Sequence, residues 1–162
     1  MTKDLKVCCP RFDPKPWQEK IHQWKDKLFI KDTVPQIFHI PFPPMIGKMM
    51  QKQWEKIQKA NAAPKTENFL WLSYDPSPWK SEHFIHTTKT VPDAENVKIS
   101  GTFISKVFDG PFNLAPKWIR QMNKYLASKN KKAKKYYFYY TTCPKCAKKY
   151  GHNYVVLFAK IK

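Results

Sequence analysis

The sequence is poor in glycine and arginine, and its last third has no acidic residue. Glycine accounts for 4 of the 162 residues and arginine for 2, whereas aromatic residues make up 15%. A chain with so little glycine and so many aromatic residues is not collagen-like, linker-like or disordered. A domain of this length buries roughly 70% of the surface of its unfolded chain, so neither a disulfide nor a metal is needed to form the core.

Several motifs are also missing. No apolar run approaches the roughly 20 residues of a membrane-spanning helix, and the opening Met-Thr-Lys-Asp-Leu-Lys-Val lacks the apolar core of a secretory signal. We therefore expect a cytoplasmic protein with no membrane partner. The chain has no glycine-rich phosphate loop, no His-Glu-x-x-His pair and no Gly-x-Ser-x-Gly elbow, so these catalytic classes are not predicted.

Positive charge dominates what is present. The net charge is +18, the last acidic residue is Asp109, and residues 110–162 alone carry +13. The lysine-rich segment 129–135 is either a phosphate-binding patch or a solvated loop that follows a helix. Base recognition relies on the bidentate arginine side chain, and only Arg11 and Arg120 are available. We therefore expect no specific nucleic-acid partner.

Hydrophobic spacing predicts two helices and six strands after an irregular N-terminal arm, residues 1–33, in which prolines interrupt an early helix. The helices are predicted from Met45 to Ala60 and from Ala115 to Ser128. The strands are predicted at residues 37–40, 69–74, 82–91, 101–108, 136–142 and 153–161. Each helix thus follows one strand and precedes two.

The two halves of this pattern match at a nearly constant offset. Three landmarks recur 68 to 71 residues apart: Pro41-Phe42 with Pro111-Phe112, Phe69 with Tyr137, and Glu82–Thr90 with Asn153–Ile161. Such a period indicates duplication. We therefore predict an α+β fold of two βαββ repeats, residues 34–91 and 92–162. They would form an antiparallel sheet with two helices on one face and a pseudo-twofold cleft.

One motif supports this interpretation. The run Lys106-Val107-Phe108-Asp109-Gly110-Pro111-Phe112 before a tryptophan-bearing helix, with Val91-Pro92 upstream, resembles the gyrase-inhibitor-like (GyrI-like) superfamily. That group includes effector-binding domains of bacterial transcription activators. The resemblance covers residues 34–162 and implies an aromatic cleft between the repeats that binds an amphipathic or cationic organic small molecule of the xenobiotic type. Some similar proteins hydrolyse small xenobiotics with a carboxylate and a tyrosine.

The sequence departs from that family in one respect. Ligand-binding members commonly place a glutamate in the second half, where this chain has no carboxylate beyond Asp109. A carboxylate in the cleft would have to be Glu82 or Asp75, which lie near strand ends. With no room for a second, DNA-reading domain, we expect a stand-alone binding domain.

Aromatic residues supply the other candidate ligand contacts. Alternation along a strand places Tyr137 and Tyr139 on one face, where they would line the cleft or simply pack. The predicted ligand-binding residues are Trp71, Tyr74, Phe84, Tyr137 and Tyr139. If the protein is a hydrolase instead, the predicted catalytic residues are Glu82, Tyr137 and Tyr139, since hydrolysis needs a base with a polar partner.

The four cysteines form two pairs. Cys143-Pro-Lys-Cys146 is typical of a zinc knuckle, in which two thiolates bind one tetrahedral metal. Cys8 and Cys9, or His152 with one of them, would complete the four ligands of a structural zinc site. A pair of thiols without metal is the alternative, and zinc stoichiometry in reduced protein distinguishes the two. Binding of the organic molecule itself requires no cofactor.

Overall fold

The computed structural model describes residues 11–142 and 144–162. Within them, strands and helices follow one another in the order β1 (Lys20–Ile37), β2 (Ile40–Pro41), α1 (Pro43–Lys59), β3 (Trp71–Ser77), β4 (Lys80–His86), β5 (Glu95–Asp109), α2 (Ala115–Ser128), β6 (Lys135–Tyr140), α3 (Pro144–Tyr150) and β7 (Tyr154–Lys160). Short 3-10 helices occupy Thr66–Asn68 and Phe112–Leu114.

The predicted fold class is wrong. The strands are hydrogen-bonded in the order β2-β1-β4-β3-β6-β7-β5, and β1 additionally pairs with β5. The chain is mostly sheet with three helices, not an open duplicated βαββ sheet with two helices on one face and a pseudo-twofold cleft. The error arises because β1 and β5 span 18 and 15 residues. Strands of that length can pair with more than one neighbour, which periodicity does not reveal.

The predicted irregular arm is also a strand from Lys20 onward. Its alternation is hidden in the sequence because the strand is interrupted at Asp26, where φ is 51°. The Asp26 N–H donates to Ser100 Oγ at 2.8 Å, which fixes this irregular position. A non-glycine residue with positive φ shifts the side chains that follow it, so the pattern loses its period of two.

The described chain divides into two compact units. Residues 23–102 form the central unit, and residues 11–22 with 103–161 form the terminal unit. In the central unit, β4 lies between β1 and β3, with Phe29 opposite His86 in one pairing and Trp71 opposite Ile85 in the other. Helix α1 covers one face of these strands, called here the α1 face, where it buries Met49 and Ile57 against Ile85. Burying each such side chain contributes about 1.5–3 kcal/mol.

The terminal unit has its own core. Strand β7 lies between β5 and β6, with Phe158 opposite both Ser105 and Tyr137. Helix α2 has the predicted bounds and packs on one face of these strands. The buried members of this core are Ile104, Phe108, Trp118, Met122, Leu126, Val155, Leu157 and Ala159. The other face carries Tyr137 and Tyr139, as their alternation along the strand predicted.

Candidate functional site

The carboxylate of Glu82 lies on the face of the central unit that α1 does not cover. It pairs with the Lys31 ammonium at 3.0 Å, and the two side chains are 15% and 25% exposed. Tyr74 stands directly opposite Glu82 in the pairing of β3 with β4. The Lys31 ammonium also lies 5.9 Å from the ring centre of Phe84. We call these four residues the Glu82 face.

The Glu82 face combines a partly dehydrated carboxylate with aromatic rings. Such a carboxylate interacts more strongly with a cation than it would in bulk water. The partly exposed Tyr74 ring offers apolar contact and, for a cation, attraction to its negative face, whereas Phe84 is buried, with 6% of its surface exposed. The arrangement suits either the binding of a cationic aromatic molecule or the acceptance of a proton from a bound water.

Trp71, another predicted ligand contact, lies on the α1 face. Its Nε1–H donates to His83 Nδ1 at 3.0 Å. His83 Nε2 lies 2.9 Å from Ser81 Oγ, and because Nδ1 accepts, Nε2 carries the proton and donates. Burial lowers the pKa of His83 to about 4, although Asp32 raises it slightly. The structure thus places Trp71 in a neutral buried hydrogen-bond network, on the opposite side of the sheet from Tyr74 and Phe84.

Tyr137 and Tyr139 lie side by side along one face of β6, as predicted, but both are buried. They are 4% and 6% exposed. The N-terminal strap, residues 11–19, lies over this part of the terminal unit. The ring centres of its Phe12 and Trp17 lie 6.1 and 6.2 Å from that of Tyr139, both in edge-to-face arrangements. A molecule in contact with Tyr139 would therefore have to displace the strap.

A serine–histidine pair under the strap was not predicted from the sequence. Ser105 Oγ lies 2.7 Å from His22 Nε2 and donates to the Trp17 carbonyl at 2.7 Å. Since the hydroxyl has one proton, His22 donates to Ser105 and does not activate it as a nucleophile. The only sequence signal is a serine between the apolar residues Phe103-Ile104 and Val107-Phe108.

Asp109, the last acidic residue of the chain, organises a corner of the terminal unit. Its carboxylate lies 2.7 Å from His152 Nδ1 and accepts the Asn153 N–H at 2.8 Å. Partial burial raises the pKa of Asp109. The hydrogen bonds from His152 and from the Asn153 and Gly110 backbone, together with the charge of His152, lower it by a larger amount, so the net shift of the pKa is downward. Asp75 is similarly engaged, 2.6 Å from His39 Nδ1.

Most of the predicted zinc site lies outside the described residues. Cys8, Cys9 and Cys143 are not described, whereas Cys146 is buried on α3. In the described part of the chain, no cluster of three or more His, Cys, Asp and Glu side chains could hold a metal. The zinc site remains a prediction.

The lysine-rich segment begins where α2 ends. The Lys129 ammonium lies 5.3 Å from the Tyr125 ring centre, and the Lys135 ammonium lies 4.8 Å from that of Tyr137. These contacts cover aromatic surface with lysine side chains.

No helix among residues 11–142 and 144–162 is long and apolar enough to cross a membrane.

The search of curated proteins returned no match. Among solved structures, an uncharacterized conserved protein from Listeria innocua has a TM-score of 0.64 at 8% identity, over 90% of this chain and 92% of that one. A hydrolase from Listeria innocua has a TM-score of 0.63 at 10% identity, with the same coverage.

A third similar structure is that of SAV2435 bound to tetraphenylphosphonium. Its TM-score is 0.50 at 11% identity, over 90% of this chain and 94% of that one. At such low identity, these structures establish a common fold only. The model of the family described as bacterial hydrolase matches residues 1–161, almost the whole chain. The protein therefore belongs to the bacterial hydrolase family.

Proposed function

We propose that this protein binds an amphipathic organic cation at the Glu82 face. The observation that carries the proposal is the Glu82 carboxylate, 15% exposed and held beside aromatic side chains. Family membership and the fold are consistent with a small-molecule-binding or hydrolase-like domain. The finer assignment to the gyrase-inhibitor-like superfamily is part of the same proposal.

Lys31 is central to the electrostatics of the Glu82 face. The Lys31 ammonium pairs with the Glu82 carboxylate at 3.0 Å, so a ligand cation has to displace Lys31 or share the carboxylate with it. Tetraphenylphosphonium, which SAV2435 binds, combines one positive charge with four aromatic rings and is therefore a suitable probe. Triphenylphosphine oxide is a neutral aromatic counterpart. Tyr137 and Tyr139 remain separately predicted ligand contacts.

We expect Glu82→Gln to weaken tetraphenylphosphonium binding by about tenfold, because it removes a Coulomb attraction of roughly 1.4 kcal/mol between the carboxylate and the cation. Binding of triphenylphosphine oxide should change little. Isothermal titration calorimetry with both compounds measures the effect. Glu95→Gln, which removes an exposed carboxylate from β5, is the matched control.

Lys31→Met adds a test with the opposite sign, since it removes the competing ammonium and should strengthen cation binding several-fold. The proposal fails if Glu82→Gln and Glu95→Gln have equal effects. It also fails if the neutral compound binds the wild-type protein as tightly as the cation does.

Hydrolysis at the same face is the second candidate function, favoured by the family match. Glu82 would accept a proton from water as the oxygen attacks the carbonyl carbon of an ester, and the leaving alkoxide would then take up that proton. We expect Glu82→Gln to lower kcat/KM for p-nitrophenyl esters by at least about 100-fold. Tyr137→Phe and Tyr139→Phe test the two predicted tyrosines. A rate that Glu82→Gln leaves unchanged contradicts a catalytic Glu82.

A further inference from the structure

Two neighbouring turns of the central unit expose a group of large apolar side chains. Phe38 and Trp79 are 70% and 58% exposed, and their ring centres lie 5.3 Å apart. Exposed side chains from the adjacent strand ends and the first turns of α1 extend the group, which we call the apolar tip: Ile37, Phe38, Ile40, Phe42, Met45 and Trp79. The apolar tip contains six of the nine large apolar side chains exposed in the described chain.

The backbone of the apolar tip is strained. Phe38 and His39 have φ of 48° and 64°, in a two-residue hairpin between β1 and β2. Such turns favour Asn-Gly or Gly-Gly, and a bulky residue in this conformation is a genuine outlier. Hydrogen bonds hold the turn in place, since His39 N–H donates to Pro78 O at 3.0 Å and Gln36 N–H to Trp79 O at 2.9 Å. Backbone strain of this kind concentrates at functional positions. Here the strained turn presents the Phe38 ring to solvent.

Lysines lie near the apolar tip. Met45 shares a shallow groove of about 220 Å³ with Lys48 and Lys52 on α1 and with Asp32 on β1, and Lys80 directly follows Trp79 in the sequence. Helix α1 carries four lysines and a single glutamate. An exposed aromatic group flanked by lysines complements a surface that is apolar inside and negative outside. The net charge of +18 disfavours a second copy of this chain as the occupant.

We propose that the apolar tip inserts into the interface of an anionic phospholipid bilayer. Phe38 and Trp79 would enter the boundary between headgroups and acyl chains, where tryptophan is the preferred anchor. Lys48, Lys52 and Lys80 would contact the phosphates. This departs from the expectation of no membrane partner, which rested on the lack of a spanning segment and of a secretory signal.

Co-sedimentation with vesicles tests the proposal. Wild-type protein should bind vesicles made of equal parts phosphatidylglycerol and phosphatidylcholine, and rising salt should weaken the binding. We expect the double variant Phe38→Ser, Trp79→Ser to lower the partition coefficient by at least about tenfold. Phe112→Ser, which replaces a ring 64% exposed in the terminal unit, is the matched control and should bind normally.

Thermal unfolding of each variant shows whether it is folded, and substitutions of exposed rings should leave Tm nearly unchanged. Equal binding to pure phosphatidylcholine vesicles would overturn the proposal, as would an equal loss in Phe112→Ser or no loss in the double variant. Sedimentation equilibrium measures the oligomeric state and so tests whether a second copy of the chain occupies the apolar tip. If the wild-type protein forms a dimer, does not bind vesicles, and loses the dimer in the double variant, then the apolar tip binds a second copy of the chain. That result refutes the proposal of membrane insertion.

Discussion

Lowering the pH from 7 to 4 is expected to destabilise the folded protein by roughly 3 kcal/mol through His83 alone. Burial holds the pKa of His83 at about 4 in the folded state, against about 6.5 for an exposed histidine. The unfolded chain therefore binds the proton first as the pH falls. The contribution of His83 is fully present above pH 6.5 and is lost as the pH falls towards 4.

Urea unfolding at pH 7, 5.5 and 4 measures this effect. His83→Gln should remove most of the pH dependence, because glutamine keeps a hydrogen-bond acceptor for Trp71 and a donor for Ser81 but does not titrate in this range. Burial also lowers the pKa of His86, which adds a smaller effect of the same sign. Asn68→Gln, at an exposed residue with no titratable side chain, is the control. An unaltered pH dependence in His83→Gln would show that the network does not exclude the proton.

Replacing Trp118 with alanine is expected to lower the free energy of unfolding by about 3–5 kcal/mol, the range for a large aromatic residue in a core. Trp118 is buried on α2 and stacks on Phe108, with ring centres 5.7 Å apart. It also packs in one cluster with Met122 and Leu126. Its removal therefore leaves a cavity that α2 and the strands cannot close without moving.

Trp79→Ala provides the comparison at the same residue type, because this exposed tryptophan should change stability by less than about 0.5 kcal/mol. Chemical denaturation followed by circular dichroism measures both variants. Similar losses in the two would mean that the α2 core does not depend on Trp118.

Helices α1 and α2 followed from the sequence because each buries one face along its length. Helix α2 occupies the predicted Ala115–Ser128, since its buried residues recur at helical spacing on a single core. Helix α1 begins two residues and ends one residue from its predicted bounds. Strand β1 was not predicted, because its partners are distant in sequence and Asp26 interrupts its alternation.

The candidate site was predictable in part for the same reason. Glu82 could be named because it is one of few carboxylates near a strand end, but its pairing with Lys31 depends on the register of β1 against β4. Trp71 and Tyr74 are three residues apart, so simple alternation already separates them onto opposite faces. The strap over Tyr139 depends on contacts between residues more than 100 positions apart.

The sequence by itself determined the charge, the shortage of arginine and the absence of any carboxylate after Asp109, because composition does not depend on conformation. It also determined helices α1 and α2, which local spacing specifies, whereas α3 was not predicted. Only the tertiary structure decided that β1 pairs with β4, that Asp109 is engaged by His152 and Asn153, and that Phe38 and Trp79 meet at one exposed tip. Those features depend on strand register and on contacts between distant residues, which neither composition nor local periodicity encodes.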